Sequence, residues 1–186
     1  KIRSQQLKIS VLLKRLKSGQ LSLEARCIRE NTSLVVFETL YKDGKELAAH
    51  ADINDIGQTV KVKIPEIGTK ATVDGKKEVT ASGRVKIEDI VSYKNLTPGK
   101  EYAVKGVLMN KASGEPLLAD GKEIRSSFTF KPDKPDGEIN ITFVFDASGL
   151  KTATEIVVFE TLYRDGTEIA AHADLKDEGQ TVKITP

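Results

Sequence analysis

The chain has 186 residues, a net charge of +2 with acid and base interspersed, 39% hydrophobic residues, 5% aromatics and no tryptophan. That length holds one or two domains, and the mixed charge leaves no electrostatic footprint for nucleic acid. No stretch reaches the apolar length of a membrane span, and the single cysteine, Cys27, excludes an intrachain disulfide.

The first twenty residues hold six Lys or Arg and no acid, which reads as a solvated edge rather than a binding arm. Residues 35–62 then spell VVFETLYKDGKELAAHADINDIGQTVKV. The same sentence returns at residues 157–184 as VVFETLYRDGTEIAAHADLKDEGQTVKI, offset by 122 residues and identical at 21 of 28 positions. Repetition at a domain-sized period predicts tandem domains, not a solenoid of short units. Residues 1–64 are expected to be the C-terminal part of a truncated repeat, and residues 65–186 a complete copy able to bury its own core. Residues 5–29 match residues 127–151 in length but share almost nothing with them. SVLLKRLKSG within them also fits a helical pattern, and a diverged segment and a local change of structure both remain open. With no signal peptide or sorting tail in view, the chain reads as an internal slice of a longer protein.

From Ile67 onward strand signals dominate. Ile67, Thr69, Ala71 and Val73 alternate with Gly68, Lys70, Thr72 and Asp74. Asp74-Gly75 and NLTPG at 95–99 are turns. Val85, Ile87, Ile90 and Val91 between them mark a strand, with a bulge as one reading of their spacing. Residues 102–109 form a further strand, closed by Ala112-Ser113-Gly114. Residues 125–130 follow, with Phe128 and Phe130 on one face, then the clean alternation of Ile139, Ile141, Phe143 and Phe145. DASGL at 146–150 is a turn, and strands over 157–163, 168–173 and 181–184 complete the copy. No segment supports an amphipathic helix of useful length. Short strands with turn signals about every ten residues predict an all-β, Ig-like Greek-key β-sandwich.

The repeated block carries the chemistry. Its two histidines, His50 and His172, are the only ones in the chain, and each precedes a glutamine by eight residues. A two-residue turn at Asp165-Gly166 would pair Phe159 with His172 and turn Glu160 away. A three-residue turn with Gly166 left-handed would pair Val158 with His172 and leave Glu160 its diagonal neighbour on one face. Glu160 lies in VVFETLY with apolar residues on both sides, so it is expected to be covered, and a covered carboxylate needs a partner or becomes neutral. His172 alone reads as a structural histidine, and Asp174 and Asp177 as turn formers. HADLKD supplies three ligands at most, so neither a metal nor a cofactor is expected.

The block resembles the VaFE repeat, the Thr–Gln ester-bond domain of surface adhesins and pilus-like stalks of Gram-positive bacteria. The likeness extends through PEIGTKATVDGKKEV, VKIEDIVSYKNLTPGKEYAVKGVLM, EPLLADGKEI and FVFDASGL, over essentially all of residues 65–186. It implies that a first-strand threonine attacks a last-strand glutamine, ammonia leaves and an internal ester remains. By position the nucleophile is Thr69, on the face of Ile67 and Ala71, and the acceptor is Gln180. His172 corresponds to the base or proton shuttle. Glu160 and Asp177 correspond to a buried acidic pair, one member protonated and able to hydrogen-bond the Gln180 carbonyl. Asp89, in IEDIVSY, is a further candidate acid. The truncated copy keeps Glu38, His50, Asp55 and Gln58, but its first strand is expected to lie before residue 1 and Thr32, Thr39 and Thr59 sit elsewhere in the repeat, so it is expected to remain open.

The expected function is therefore that of a structural stalk module outside the cell, on the bacterial surface. It staples itself once and turns nothing over, so it is not an enzyme. Its partners would be neighbouring repeats of the same polypeptide, with any host ligand bound through another domain. The alternatives are an isopeptide-crosslinked sandwich with Lys70 as nucleophile, against which the alternation counts, or a ligand-binding adhesin module with no crosslink. A hydrolase built on Glu160 and His172 lacks a Ser- or Cys-centred nucleophile motif.

Overall fold

The structure, a computed structural model, describes residue 28 and residues 30–186. The readings of Cys27, of the basic first twenty residues and of 5–29, residue 28 apart, fall outside the described residues. The chain divides into two compact units, 1–64 and 65–186. Among the described residues there is no α-helix, and none long and apolar enough to cross a membrane.

In the first unit, β1 (Thr32–Val35), β2 (Glu38–Lys42) and β3 (Lys45–His50) lead through a 3₁₀ turn at Ile56–Gln58 into β4 (Thr59–Val62). β1 pairs antiparallel with β4, and β2 with β3.

The second unit runs through β5 (Glu66–Val73), β6 (Glu78–Thr80), β7 (Val85–Lys94), β8 (Tyr102–Asn110), β9 (Leu118–Ala119), β10 (Lys122–Glu123), β11 (Arg125–Phe130), β12 (Gly137–Phe145), β13 (Thr154–Arg164), β14 (Thr167–His172) and β15 (Thr181–Thr185). It is an all-β sandwich. One sheet has the order β12-β7-β5, and the other β11-β8-β13-β15-β6, with β14 also on β13. All neighbours are antiparallel except β15 and β6. The chain crosses repeatedly between sheets, so β5 lies in one sheet and β15 in the other.

Period-two alternation turns one row of each central strand into the core. On β13 the buried row includes Ile156, Val158, Glu160 and Leu162; on β7 it is Val85, Ile87, Asp89, Val91 and Tyr93. Phe143, Leu108, Ile141 and Ile184 fill the space between. Strand β7 is thus unbroken, and the bulge expected in it is absent. That bulge would bring Ile90 inward. Instead Ile90 faces out at 41% exposure, and Asp89 occupies the core position. Each of these two strands therefore carries one carboxyl in an otherwise apolar row.

Candidate functional site

The geometry starts with the β13–β14 hairpin. Asp165 and Gly166 both have positive φ, 51° and 75°, the mark of a two-residue turn of the primed type. Arg164 pairs with Thr167 and Tyr163 with Glu168, after which the register shifts and Leu162 pairs with Ala170. Ile169 is the extra residue of a β-bulge. Glu160 consequently stands directly opposite His172. Neither hairpin register expected from sequence occurs: the turn is the two-residue one, and the bulge restores Glu160 and His172 to one face.

Glu160 is closely packed from the side of β8. Gly106 on β8 pairs with it, and a Cβ at Gly106 would fall 2.5 Å from the Phe143 ring. The missing side chain lets that ring press onto the strand beside the carboxyl. Glu160, Asp89 and Gln180 are all fully buried. The Glu160 carboxyl is pushed up to about 10, first by burial and then by the neighbouring Asp89 carboxyl, with which it interacts directly. Burial likewise raises Asp89. Both Asp89 oxygens and Glu160 Oε1 lack a hydrogen-bond donor of good geometry. Two acceptor-only carboxylates cannot satisfy one another, whereas a single shared proton makes one a donor and halves the buried charge. The pair therefore holds one proton, and Glu160 is the neutral acid of the two.

Gln180 opens β15 from the other end of the chain. Its Nε2 donates to Glu160 Oε2 at 2.7 Å and contacts Thr69 Oγ1. Thr69 lies on β5 in the inward row with Ala71, which pairs with Asp89. Lys70 points to solvent. The loop carrying Gln180 is set by Asp177, whose Oδ1 accepts from Gly179 N at 2.6 Å and whose Oδ2 meets His172 Nε2 at 2.7 Å. The contact with His172, aided by the Gly179 N–H, holds the Asp177 carboxyl below its ordinary range. Asp177 is partly exposed, so the buried acidic pair is Glu160 with Asp89, not Glu160 with Asp177. Asp177 instead orients His172. The other loop aspartate, Asp174, receives the Lys176 N–H at 2.9 Å, as a turn former does.

A shallow pocket of about 520 Å³, lined by Gly68, Thr69, Ser92 and His172 among others, opens the site to solvent. The sequence reading missed two lysines. Lys77 Nζ donates to Ala71 O at 2.7 Å and Gly179 O at 2.6 Å, and Lys111 Nζ to Glu178 Oε1 at 2.7 Å. Nothing in GKKE or MNKA sets them apart from solvated lysines. Among the described residues no cluster of His, Cys, Asp and Glu side chains is arranged to hold a metal ion.

The first unit repeats the local geometry. Glu38 pairs with His50 across the same bulge, here between Leu40 and Tyr41. His50 Nε2 meets Asp55 Oδ2 at 2.7 Å, and Gly57 N donates to Asp55 Oδ1 at 2.7 Å. Glu38 is exposed, and His50 is 54% exposed where His172 is 26%. Gln58 keeps a buried Oε1 with no hydrogen-bond partner.

Comparison with known proteins bears on this arrangement. Two crystal forms of a bacterial adhesin from Mobiluncus mulieris, described as containing intramolecular disulfide, isopeptide and ester bond cross-links, superpose with TM-scores of 0.58 and 0.54 at 21% identity. Each match covers 67% of this chain and 58% of that one, and at such identity what is shared is the fold. No curated protein matches. The family model described as "T-Q ester bond containing domain" matches twice, over residues 5–62 and 65–184. The chain belongs to the T-Q ester bond containing domain family.

Proposed function

We propose that residues 65–186 form a load-bearing module of a bacterial surface adhesin, working outside the cell in series with neighbouring domains of the same polypeptide. The module crosslinks itself once, through an ester between Thr69 Oγ1 and Gln180 Cδ. One observation carries the reading: the Thr69 hydroxyl lies against the Gln180 carboxamide, over a buried carboxyl 2.7 Å from that amide. Lys70, the nucleophile of an isopeptide alternative, is exposed on the opposite row of β5 from Thr69.

In the proposed reaction the Thr69 oxygen attacks Gln180 Cδ and its proton passes to His172, with Asp177 holding the ring. The carbonyl electrons move onto Oε1. Turned end for end, the carboxamide brings Oε1 to the place from which Nε2 donates to Glu160, and neutral Glu160 then donates to that oxygen. The tetrahedral intermediate collapses, the C–N bond breaks, and the proton on His172 leaves with the amine as ammonia. Hydroxyl plus carboxamide gives ester plus ammonia, with no cofactor and no water consumed. The site ends acylated by its own chain, so it acts once and is not an enzyme. The product joins the first strand of one sheet to the last strand of the other, and closing that loop constrains the unfolded chain by about 4–5 kcal/mol if the disulfide entropy relation transfers.

The test is the intact mass of the 186-residue chain. It should fall short of the calculated mass by one ammonia, and Thr69→Ala should restore it. Hydroxylamine should cleave the bond in the wild type. A wild type of full mass refutes the crosslink. A deficit that survives Thr69→Ala and disappears with Lys70→Ala makes it an isopeptide.

A further inference from the structure

We propose that Lys77 is the positioning residue that registers Thr69 against Gln180 before the ester forms. This rests on the ester-forming reading above and adds to it a group outside the acid–histidine set. Beyond β5 the chain reverses through Asp74 and Gly75, with φ of 47° and 73°, and paired bonds between Val73 and Lys76 of 2.8 and 2.7 Å close the turn. Lys77 is thereby brought back alongside the strand it has just left. Its carbonyl accepts from Lys183 N on β15 at 2.7 Å. Its ammonium donates to Ala71 O on β5 and to Gly179 O, at 2.7 and 2.6 Å. Ala71 N in turn donates to Gly179 O at 3.1 Å.

The bonds among Lys77 Nζ, the Ala71 backbone and Gly179 O form a closed ring beside the reacting pair. Ala71 is two residues beyond Thr69, and Gly179 immediately precedes Gln180. Without the ring, β5 and the loop before β15 meet in different sheets through a single backbone hydrogen bond. With it, one cation holds both main chains at a fixed separation, where a displacement of about 1 Å costs roughly a hundredfold in rate. Lys77 is an exposed residue whose ammonium alone reaches the two carbonyls, so its role is in those bonds and not in core packing.

The ammonium also sets the local field. Asp89 on β7 and Asp177 and Glu178 in the loop before β15 face it with negative charge, and Lys70 on β5 with positive charge. Burial raises Asp89, and against it the contact with Glu160, the Lys70 backbone, His172 and, as the smallest contribution, the Lys77 cation all favour its anionic form. A purely structural tie would have no such effect on the titration of the reaction.

The experiment follows ammonia loss by mass after newly synthesised chain, quenched in urea, is diluted into buffers from about pH 5 to about pH 9. Lys77→Met should crosslink at least about tenfold more slowly than wild type, with the acid limb of the pH–rate profile moved to higher pH. Lys77→Arg, which keeps charge and donors, should recover most of the rate and the original limb. The same substitutions in a Thr69→Ala background report folding separately. If Lys77→Met does not fold there, Lys77→Gln takes its place with the same expected slowing and limb shift. Crosslinking at the wild-type rate in the folded uncharged variant overturns the proposal. So does slowing with an unmoved limb and no recovery by arginine. A wild type that never loses ammonia overturns the ester reading itself, a result distinct from either.

Discussion

Residues 35–62 and 157–184 share three quarters of their sequence and nearly all of their local geometry. Both form a two-residue turn, a bulge two pairs below it, a Glu–His pair across the strands and a His–Asp contact of 2.7 Å. They differ in what lies over them. Glu160 and Gln180 are fully buried beneath β5 and β7, whereas Glu38 is exposed and Gln58 only half-buried. The comparison separates two kinds of information. The block by itself specifies where the side chains stand relative to one another. The chemical state of those side chains comes from strands far away in sequence, because burial and the Asp89 carboxyl of β7, not the hairpin, raise Glu160.

The sharpest way to break the comparison is to delete the two glutamines in turn. Gln180→Ala should restore full mass and lower the stability of the second unit by about 4–5 kcal/mol, read by urea denaturation. Gln58→Ala should leave the ammonia deficit unchanged and cost within about 1 kcal/mol. A second ammonia lost from the wild-type chain would erase the difference between the copies.

Next come the two glutamates. Glu160→Gln should slow ammonia loss by roughly a hundredfold or more, and Glu38→Gln should not alter it. The Thr69→Ala protein gives the same contrast without chemistry. Because the folded-state value of Glu160 is raised from 4.5 to about 10, folding takes up a proton between those limits. Its contribution is fully present below about pH 4.5 and is lost as pH rises toward 10. The urea midpoint of Thr69→Ala should therefore fall across that window, and Thr69→Ala with Glu160→Gln should flatten the fall. An unchanged slope would mean that Glu160 is not the titrating group.

The smallest expected effect concerns a position where the copies differ in sequence. Glu178, 79% exposed, pairs with Lys111, and its counterpart is Ile56, 90% exposed. Glu178→Ala should cost about 0.2–1 kcal/mol of thermal stability, as surface ion pairs do. Ile56→Glu should change stability by no more than about 0.5 kcal/mol.

Much of the site was legible in the residues. Alternation alone placed Thr69 with Ala71 and against Lys70, and the apolar flanks of Glu160 announced a covered acid. Asp89 was legible too, since Val85, Ile87, Asp89, Val91 and Tyr93 form an unbroken period-two row. The reading went astray by preferring an apolar Ile90 inside and inventing a bulge to put it there. The real bulge, at Ile169, leaves no trace in composition: it is set by backbone pairing below the turn, and Ile169 suits a regular strand equally well. The assignment of Asp177 to the acidic pair failed for a related reason. Spacing before a glutamine does not reveal depth, and three residues of loop carry Asp177 out to the rim beside His172. Lys77 was illegible because its partners are main-chain carbonyls, which no side-chain pattern encodes.

The bulge has a consequence for how the hairpin tolerates change. Side chains on a strand obey parity, so an odd change in length flips everything beyond it to the opposite face. The single extra residue at Ile169, mirrored in the first unit, works as a parity bit that restores Glu160 and His172 to the same side after an even turn. The tip between Arg164 and Thr167 is thus decoupled from the chemistry, and its two turn residues are free to be exchanged for any pair that closes the same turn. Within β14 below the bulge the rule is strict: one residue gained sends the histidine to the other face, and two gained together keep it on the same face but carry it past Glu160 to a place opposite Val158.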